Sequence, residues 1–435
     1  MWAYESVFYQ IYPLGFCGAP HQNDGILTPR VKKIGDWAEH IANIGANAIY
    51  FSPVFESDNH GYDTRDYTKI DCRLGTNADF AAVCKKLHNS GIKLVLDGVF
   101  NHVGRGFWAF QDVLKNREAS AYKDWFHISF GGNSNYNDGL WYEGWEGHFE
   151  LVKLNIQNPQ VEEYLFSCIR GWVEEFDIDG LRLDVAYCLN LDFIKKLRTF
   201  CDSLKPDFFL VGELLHGDYN RYVNDDMLHS CTNYECYKGL YSSFNSLNMF
   251  EITHSLLRQF GPEQWTLYKG KHLFNFVDNH DVSRIASNLT NPLHLPLIYA
   301  LLFAMPGIPC VYYGSEWGAE GKKQDGDDGL RLSYDKPIEN ELTAFLQKLA
   351  NAHKGSKALC NGDFKSILLQ NKQLIFERAC GDDRVIVAIN IDDVPFEAHF
   401  NANAGRARDL ITGETHDFGG GSTLQAHSAY YWQVY

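Results

Sequence analysis

Acids and histidines close four short apolar runs in this chain: LVLDGVFNH (94–102), GLRLDVA (180–186), FLVGEL (209–214) and FNFVDNHD (274–281). Carboxylates, histidines and one arginine, delivered together, are the material of acid–base chemistry on a polar substrate. In GLRLDVA, period-two alternation places Arg182 and Asp184 on the same side of a strand. A neighbouring guanidinium lowers the pKa of a carboxyl and keeps it ionised, which suits Asp184 as a nucleophile. Glu213 closes the next run among Leu210, Val211 and Leu214. Apolar surroundings raise a carboxyl's pKa, which suits a general acid.

A strand that stays apolar until its last residues and then turns polar delivers side chains to one rim of a parallel barrel. Eight such strands are predicted, at 6–13, 47–54, 93–99, 178–185, 208–214, 231–237, 272–278 and 308–314. Amphipathic segments alternate with them, among them 31–45 and 79–91. In the latter, Phe80, Val83, Cys84 and Leu87 recur at helical spacing and Gly91 supplies the stop. The pattern predicts a (β/α)8 TIM barrel over residues 1–102 and 159–352. Residues 103–158, rich in Gly, Asn and aromatics, form a connection too long for a simple turn and read as a subdomain inserted after the third strand. From 353 to 435, short alternating runs separated by GDD and GGGS predict a C-terminal antiparallel β-domain.

Composition narrows the partners. Lys+Arg 39 against Asp+Glu 55 gives a net charge of −16, which disfavours nucleic acid and anionic membrane surfaces. The N-terminus shows no signal-peptide pattern, and the best apolar stretch, 295–313, is broken by Pro306 and Pro309. Eleven scattered cysteines without a CxxC pair point to reduced thiols in a cytoplasmic protein. No glycine-rich nucleotide motif follows the first strand, and no cofactor is expected.

Each acidic motif alone is explained as well by an ion pair or an exposed glutamate. Four at strand ends, in one order, are not. Two carboxylates on neighbouring strands, tuned in opposite directions, are what retaining glycoside hydrolysis requires. The combination resembles the α-amylase family, glycoside hydrolase family 13, over almost the whole chain. Its motifs match as DGVFNH, GLRLDVA, the glutamate of VGEL, and FVDNHD. The resemblance implies Asp184 as nucleophile, Glu213 as acid/base and Asp281 as the third carboxylate, holding sugar hydroxyls. It further implies His102 and His280 as sugar-binding histidines and Arg182 as the group orienting the nucleophile. HGYDTRDY places Tyr62 as a stacking platform, and DDGLR places Asp327 and Arg331 in the same subsite. His60 and Asp63 flank Tyr62, and Trp141, Tyr142 and Trp145 read either as a local core or as a wall for substrate.

Departures refine the resemblance. Where many family members carry a calcium-binding aspartate, this chain has Lys153 in VKLN, so no metal is expected there and Asn101 is left to a hydrogen bond. The lysine resembles the neopullulanase, cyclomaltodextrinase and maltogenic amylase subgroup. That subgroup's N-terminal domain does not precede the first strand here, and its Asn-Glu after DVA is replaced by Tyr187-Cys188. The implied substrate is a neutral α-glucan oligosaccharide, a maltooligosaccharide or cyclodextrin, cleaved at α-1,4 bonds. An α-glucosidase or transglycosylase of the same family, and a catalytically silent sugar-binding barrel, are the alternatives. Oligomeric state is not set by the sequence.

Overall fold

The computed structural model of the chain covers residues 1–435. Eight short strands lie parallel in one sheet: β1 (Phe8–Ile11), β2 (Ala48–Phe51), β3 (Lys93–Gly98), β4 (Gly180–Leu183), β5 (Phe209–Gly212), β6 (Ser230–Cys231), β7 (Phe274–Phe276) and β8 (Ile308–Tyr312). Their spatial order is β6-β5-β4-β3-β2-β1-β8-β7. A parallel bridge between Thr232 and Phe274 brings the two ends together. The sheet closes as the expected (β/α)8 barrel and leaves no open edge.

Alternation decides what each strand shows to the barrel interior. Phe8, Val95, Phe209, Val211, Phe276 and Cys310 pack there in an apolar plug. The same inward faces then continue into Gln10, Asp97, Arg182 and Glu213, all buried. Register places Arg182 beside Asp97 on β3 and Val211 on β5. The intervening residues, such as Ile49, Leu94, Leu96, Leu181 and Leu183, are buried in the larger core outside the barrel. Each such side chain contributes roughly 1.5–3 kcal/mol on burial. Gly180 opens β4 because a Cβ there would meet the Phe209 carbonyl oxygen at 2.4 Å.

The helix expected at 79–91 spans Asn77–Asn89, begun by a capping box between Thr76 and Asp79. Gly91 beyond it takes φ +76°, the left-handed stop that glycine allows. Two expectations are corrected. The segment 31–45 is two short helices, Lys32–Asp36 and Ala38–Asn43, because the backbone tightens at Trp37. The Trp37 ring is buried against Phe16, His40 and Trp317. The sixth strand was expected over 231–237 but ends at Cys231. Asn233 then caps a helix, Tyr234–Ser246, by accepting from the Cys236 N–H. Tyr234 and Tyr237 have strand-like side chains, yet they pack from that helix onto Phe276.

After β3 the chain pairs His102–Gly104 with His148–Lys153, which also pairs with Gly144–Trp145. This small sheet anchors the inserted segment at the rim. The C-terminal residues form a six-stranded antiparallel sheet. Arg378 ties that sheet to the barrel by donating to the Ala304 carbonyl at 2.6 Å. No helix is long and apolar enough to cross a membrane. All eleven cysteines are free, most of them buried.

One buried histidine fastens the barrel's closing segment. His40 Nδ1 lies 2.9 Å from Glu339 and Nε2 lies 3.0 Å from Glu316, which also accepts from the Tyr9 hydroxyl. Carboxylates only accept, so both ring nitrogens carry protons and the ring is an imidazolium. Burial opposes that charge, but Glu316 and then Glu339 outweigh it and raise the pKa above its usual value. Stability from this contact is full below pH ~6.5 and is lost as pH rises through the raised value. Thermal unfolding of His40→Gln against the parent protein should show a melting deficit at pH 6 that narrows at pH 9. A deficit of equal size at both would remove the imidazolium from the account.

Candidate active site

The strand ends meet around one guanidinium. Arg182 Nη1 donates to both oxygens of Asp97 at 3.0 Å and to Asp184 Oδ1 at 2.7 Å. Its Nη2 lies 3.0 Å from Glu213 Oε1. Three carboxylates thus share one cation out of water. Burial drives the pKa of Asp97 and of Asp184 up to about 7, and raises that of Glu213. Arg182 pulls each of them down but cannot ionise all three at once.

This corrects the expectation for Asp184. Arg182 does sit beside it, but its field is divided among three acids, and desolvation with the nearby Glu213 charge wins. The expectation for Glu213 holds in direction and in its first cause, burial. Its neighbourhood is less apolar than the sequence implied. Glu213 Oε2 accepts from the Val185 N–H at 3.0 Å. Val185 makes that bond from φ +38°, ψ +48°, a left-handed conformation that costs a β-branched residue about 1–2 kcal/mol.

The remaining expected residues surround this cluster. His280 Nδ1 faces the Gln10 amide nitrogen at 2.8 Å, which puts the ring proton on Nε2. That nitrogen lies 3.0 Å from Asp281 Oδ2 and 2.5 Å from the Tyr62 hydroxyl. Burial lowers the His280 pKa to about 3, so the ring is neutral. Asp281 stays charged: burial raises its pKa, but His280 and Arg331 more than offset it. Arg331 Nη2 reaches Asp281 and Asp327 at 3.1 Å each. Tyr62 lies parallel to the His280 ring, 5.6 Å between centroids, and donates to Asp97 at 3.2 Å.

His102 is held differently. The Asn101 amide donates to Nδ1 at 3.1 Å, leaving the proton on Nε2. That buried N–H has no protein partner and stands 3.9 Å from Asp184 Oδ2. A buried donor without an acceptor marks a place for a ligand oxygen. Asp63 accepts from the His60 and Gly61 N–H groups and shapes the loop that presents Tyr62. In the inserted segment Tyr142 is core against Phe110 and Phe149, Trp141 is exposed, and the Trp145 ring lies 5.7 Å from that of His102.

Sequence reading missed Asp97, Tyr50, Gln10 and Tyr234. Asp97 stood inside a quoted motif, and period-two counting from the strand-end acids would have put it on the inward face. Tyr50 donates to Asp97 at 3.0 Å, a contact only the closed barrel creates.

Lys153 is bonded to Glu143 at 2.5 Å and stands opposite His102 in the strand register. A calcium ion beside Asn101 would meet that ammonium, so the residues present do not fit the ion. The acid–thiol group Glu56, Asp71 and Cys72 elsewhere is already engaged by Arg73 and Asn23.

The barrel rim thus gathers a shared-cation carboxylate cluster, neutral histidines and an unsatisfied donor. The family model described as the α-amylase catalytic domain matches residues 10–358, and the chain belongs to the α-amylase family of glycoside hydrolases. A cyclomaltodextrinase from Bacillus sp is 31% identical over 422 residues, covering 90% of this chain and 73% of that protein. A solved cyclomaltodextrinase structure superposes with TM-score 0.88 at 28% identity, covering 100% of this chain and 78% of that one. The cyclic α-maltosyl-(1→6)-maltose hydrolase from Arthrobacter globiformis, in complex with that sugar, gives TM-score 0.84 at 26% identity, covering 100% and 99%.

Asp97→Asn should leave Arg182 fewer acids to serve and lower the pKa of Glu213, which Asp97 raises. The alkaline limb of kcat/KM against pH should move to lower pH. An unmoved limb would detach Asp97 from the titrating cluster. Treatment with EDTA should leave melting temperature and activity unchanged, and a large drop in either would overturn the reading of Lys153.

Proposed function

We propose that the chain is a retaining hydrolase of α-1,4-glucosidic bonds in soluble maltooligosaccharides and cyclodextrins. The observation that carries this reading is the grip of Arg182 on both Asp184 and Glu213. Two carboxyl oxygens within one hydrogen bond of the same guanidinium fit the close pair, roughly 5–5.5 Å apart, of a retaining enzyme. The names of the similar cyclomaltodextrinases support the substrate class. Buried free thiols support a cytoplasmic setting.

In the first step the protonated Glu213 gives its proton to the glycosidic oxygen while Asp184 attacks the anomeric carbon. The C–O bond breaks, the leaving sugar departs with the proton, and a glycosyl ester forms on Asp184. Water then attacks the same anomeric carbon, Glu213 takes its proton, and the bond to Asp184 breaks, releasing it as a carboxylate. A cluster with fewer cations than acids keeps a proton near neutrality, and this mechanism requires that proton on Glu213. In this reading the Nε2–H of His102 and the charged Asp281 hold sugar hydroxyls. Tyr62 offers its ring face, and Asp327 with Arg331 completes the glycone side.

A second reading, cleavage of small cyclic glucans that contain 1→6 links, is favoured by the near full-length match to the Arthrobacter globiformis hydrolase. Product analysis on maltotriose, β-cyclodextrin, pullulan and isomaltose separates the two, and separates both from an α-glucosidase or transglycosylase. A silent sugar-binding barrel is disfavoured by the presence of Asp184, Glu213 and Asp281 together.

Asp184→Asn should abolish turnover while retaining binding, and NMR of the first product formed by the parent protein should show the α-anomer. A β-anomer would end this mechanism. Activity should be bell-shaped in pH, with limbs that belong to the coupled Asp184–Glu213 pair. Glu213→Gln should remove the alkaline limb and slow poor leaving groups far more than activated aryl glycosides. Equal losses in the glycosylation step would mean that Glu213 is not the acid.

A further inference from the structure

The rim carries two cavities on opposite sides of the catalytic cluster. One, of about 300 Å3, is lined by Tyr12, His21, Asn59, His60, Asp328 and Arg331, from the loops after β1, β2 and β8. The other, a groove of about 760 Å3, follows β5 and β6 and runs from Leu215–Gly217 across the helices Tyr234–Ser246 and Phe250–Phe260. In an eight-stranded barrel β1 and β5 face each other, so the two cavities lie across the rim with Asp184 and Asp281 between them.

Tyr234 joins the second groove to the catalytic centre. It lines the groove and also the small cavity bounded by Arg182, Glu213 and His280. Its hydroxyl accepts from Asn279, whose side-chain oxygen in turn accepts from the Asp281 N–H. Farther out, Phe250 is 45% and Leu215 40% exposed, so the groove presents two apolar faces to solvent. Glu235 pairs with Arg258 at 2.5 Å and Glu251 bonds Ser242, which braces the walls. Lys238, His216 and His254 line the same groove without ion pairs. Apolar platforms with a few hydrogen-bonding groups are what a pyranose chain requires.

We infer that this groove holds the reducing-side glucose units of a linear α-glucan, with Phe250 as its outer platform and Lys238 as a hydroxyl donor. The inference rests on the function proposed above. Glu213 protonates the leaving oxygen from β5, so the departing part of the substrate must lie on the β5 side of Asp184, where this groove begins. The cavity near Arg331 takes the opposite, non-reducing end. Substrate preference for longer linear chains is therefore set by two helices that carry no catalytic group.

The test is the ratio of kcat/KM for maltohexaose to that for maltotriose, measured in the parent protein and in Phe250→Ala and Lys238→Ala. Both residues are surface positions on helices, where substitutions usually stay within about 0.5 kcal/mol of stability. The parent should favour maltohexaose, and Phe250→Ala should lower the ratio about tenfold, with Lys238→Ala lowering it severalfold. Hydrolysis of both sugars with the same ratio in all three proteins would overturn the groove assignment and leave the proposed function standing. A parent protein that cleaves neither sugar would overturn both.

Discussion

A single guanidinium organises this molecule. Arg182 stands at the top of the barrel interior, and each of its partners comes from a different strand end: Asp97 from β3, Asp184 after β4, Glu213 after β5. Carboxylates this close would repel one another and open the rim without a cation among them. Lysine could not substitute, because a point charge on a flexible stem cannot meet three acids in fixed directions. The grip has a second effect. Since one cation cannot neutralise three buried acids, the geometry that holds the rim together also favours a proton within it near neutrality.

Strand periodicity puts these groups there. In β1, β3 and the run through β5 the inward face is apolar at its lower levels and then reaches Gln10, Asp97 and Glu213, so the plug of Phe8, Val95, Phe209 and Phe276 supports a polar lid. The acids are buried by that architecture and not by any local hydrophobic run. The loops then differentiate the rim. The inserted segment stands over β3 with Trp145 beside His102, and the segment after β8 returns Asp327 and Arg331 to the centre, fastened below by His40 between Glu316 and Glu339.

Much of this was legible in the chain because it is local. Period-two alternation exposed seven strands nearly in full, and the strand-end acids followed from them. The sixth strand failed since Tyr234 and Tyr237 satisfy a strand pattern as readily as a helix face, and only the Asn233 cap, locked by Gln259 and Asn275, decides between them. The direction of the Asp184 pKa shift was misjudged for a different reason. Sequence shows that an arginine is adjacent but not how many other acids it serves, nor how far water is excluded. Asp97, Tyr50 and Gln10 were hidden likewise, as their roles arise when distant strands close into a ring.

The bent peptide after Asp184 has a consequence for how such a protein could be improved. Val185 holds a torsion that most side chains avoid, and it does so where its N–H steers the acid. Selection for heat tolerance alone would be drawn to relax this residue, since doing so releases the backbone strain held there. The same relaxation would unaim Glu213. Robustness and turnover therefore compete at one bond of the backbone, and a search that scores only melting would drift toward well-folded, slow enzymes.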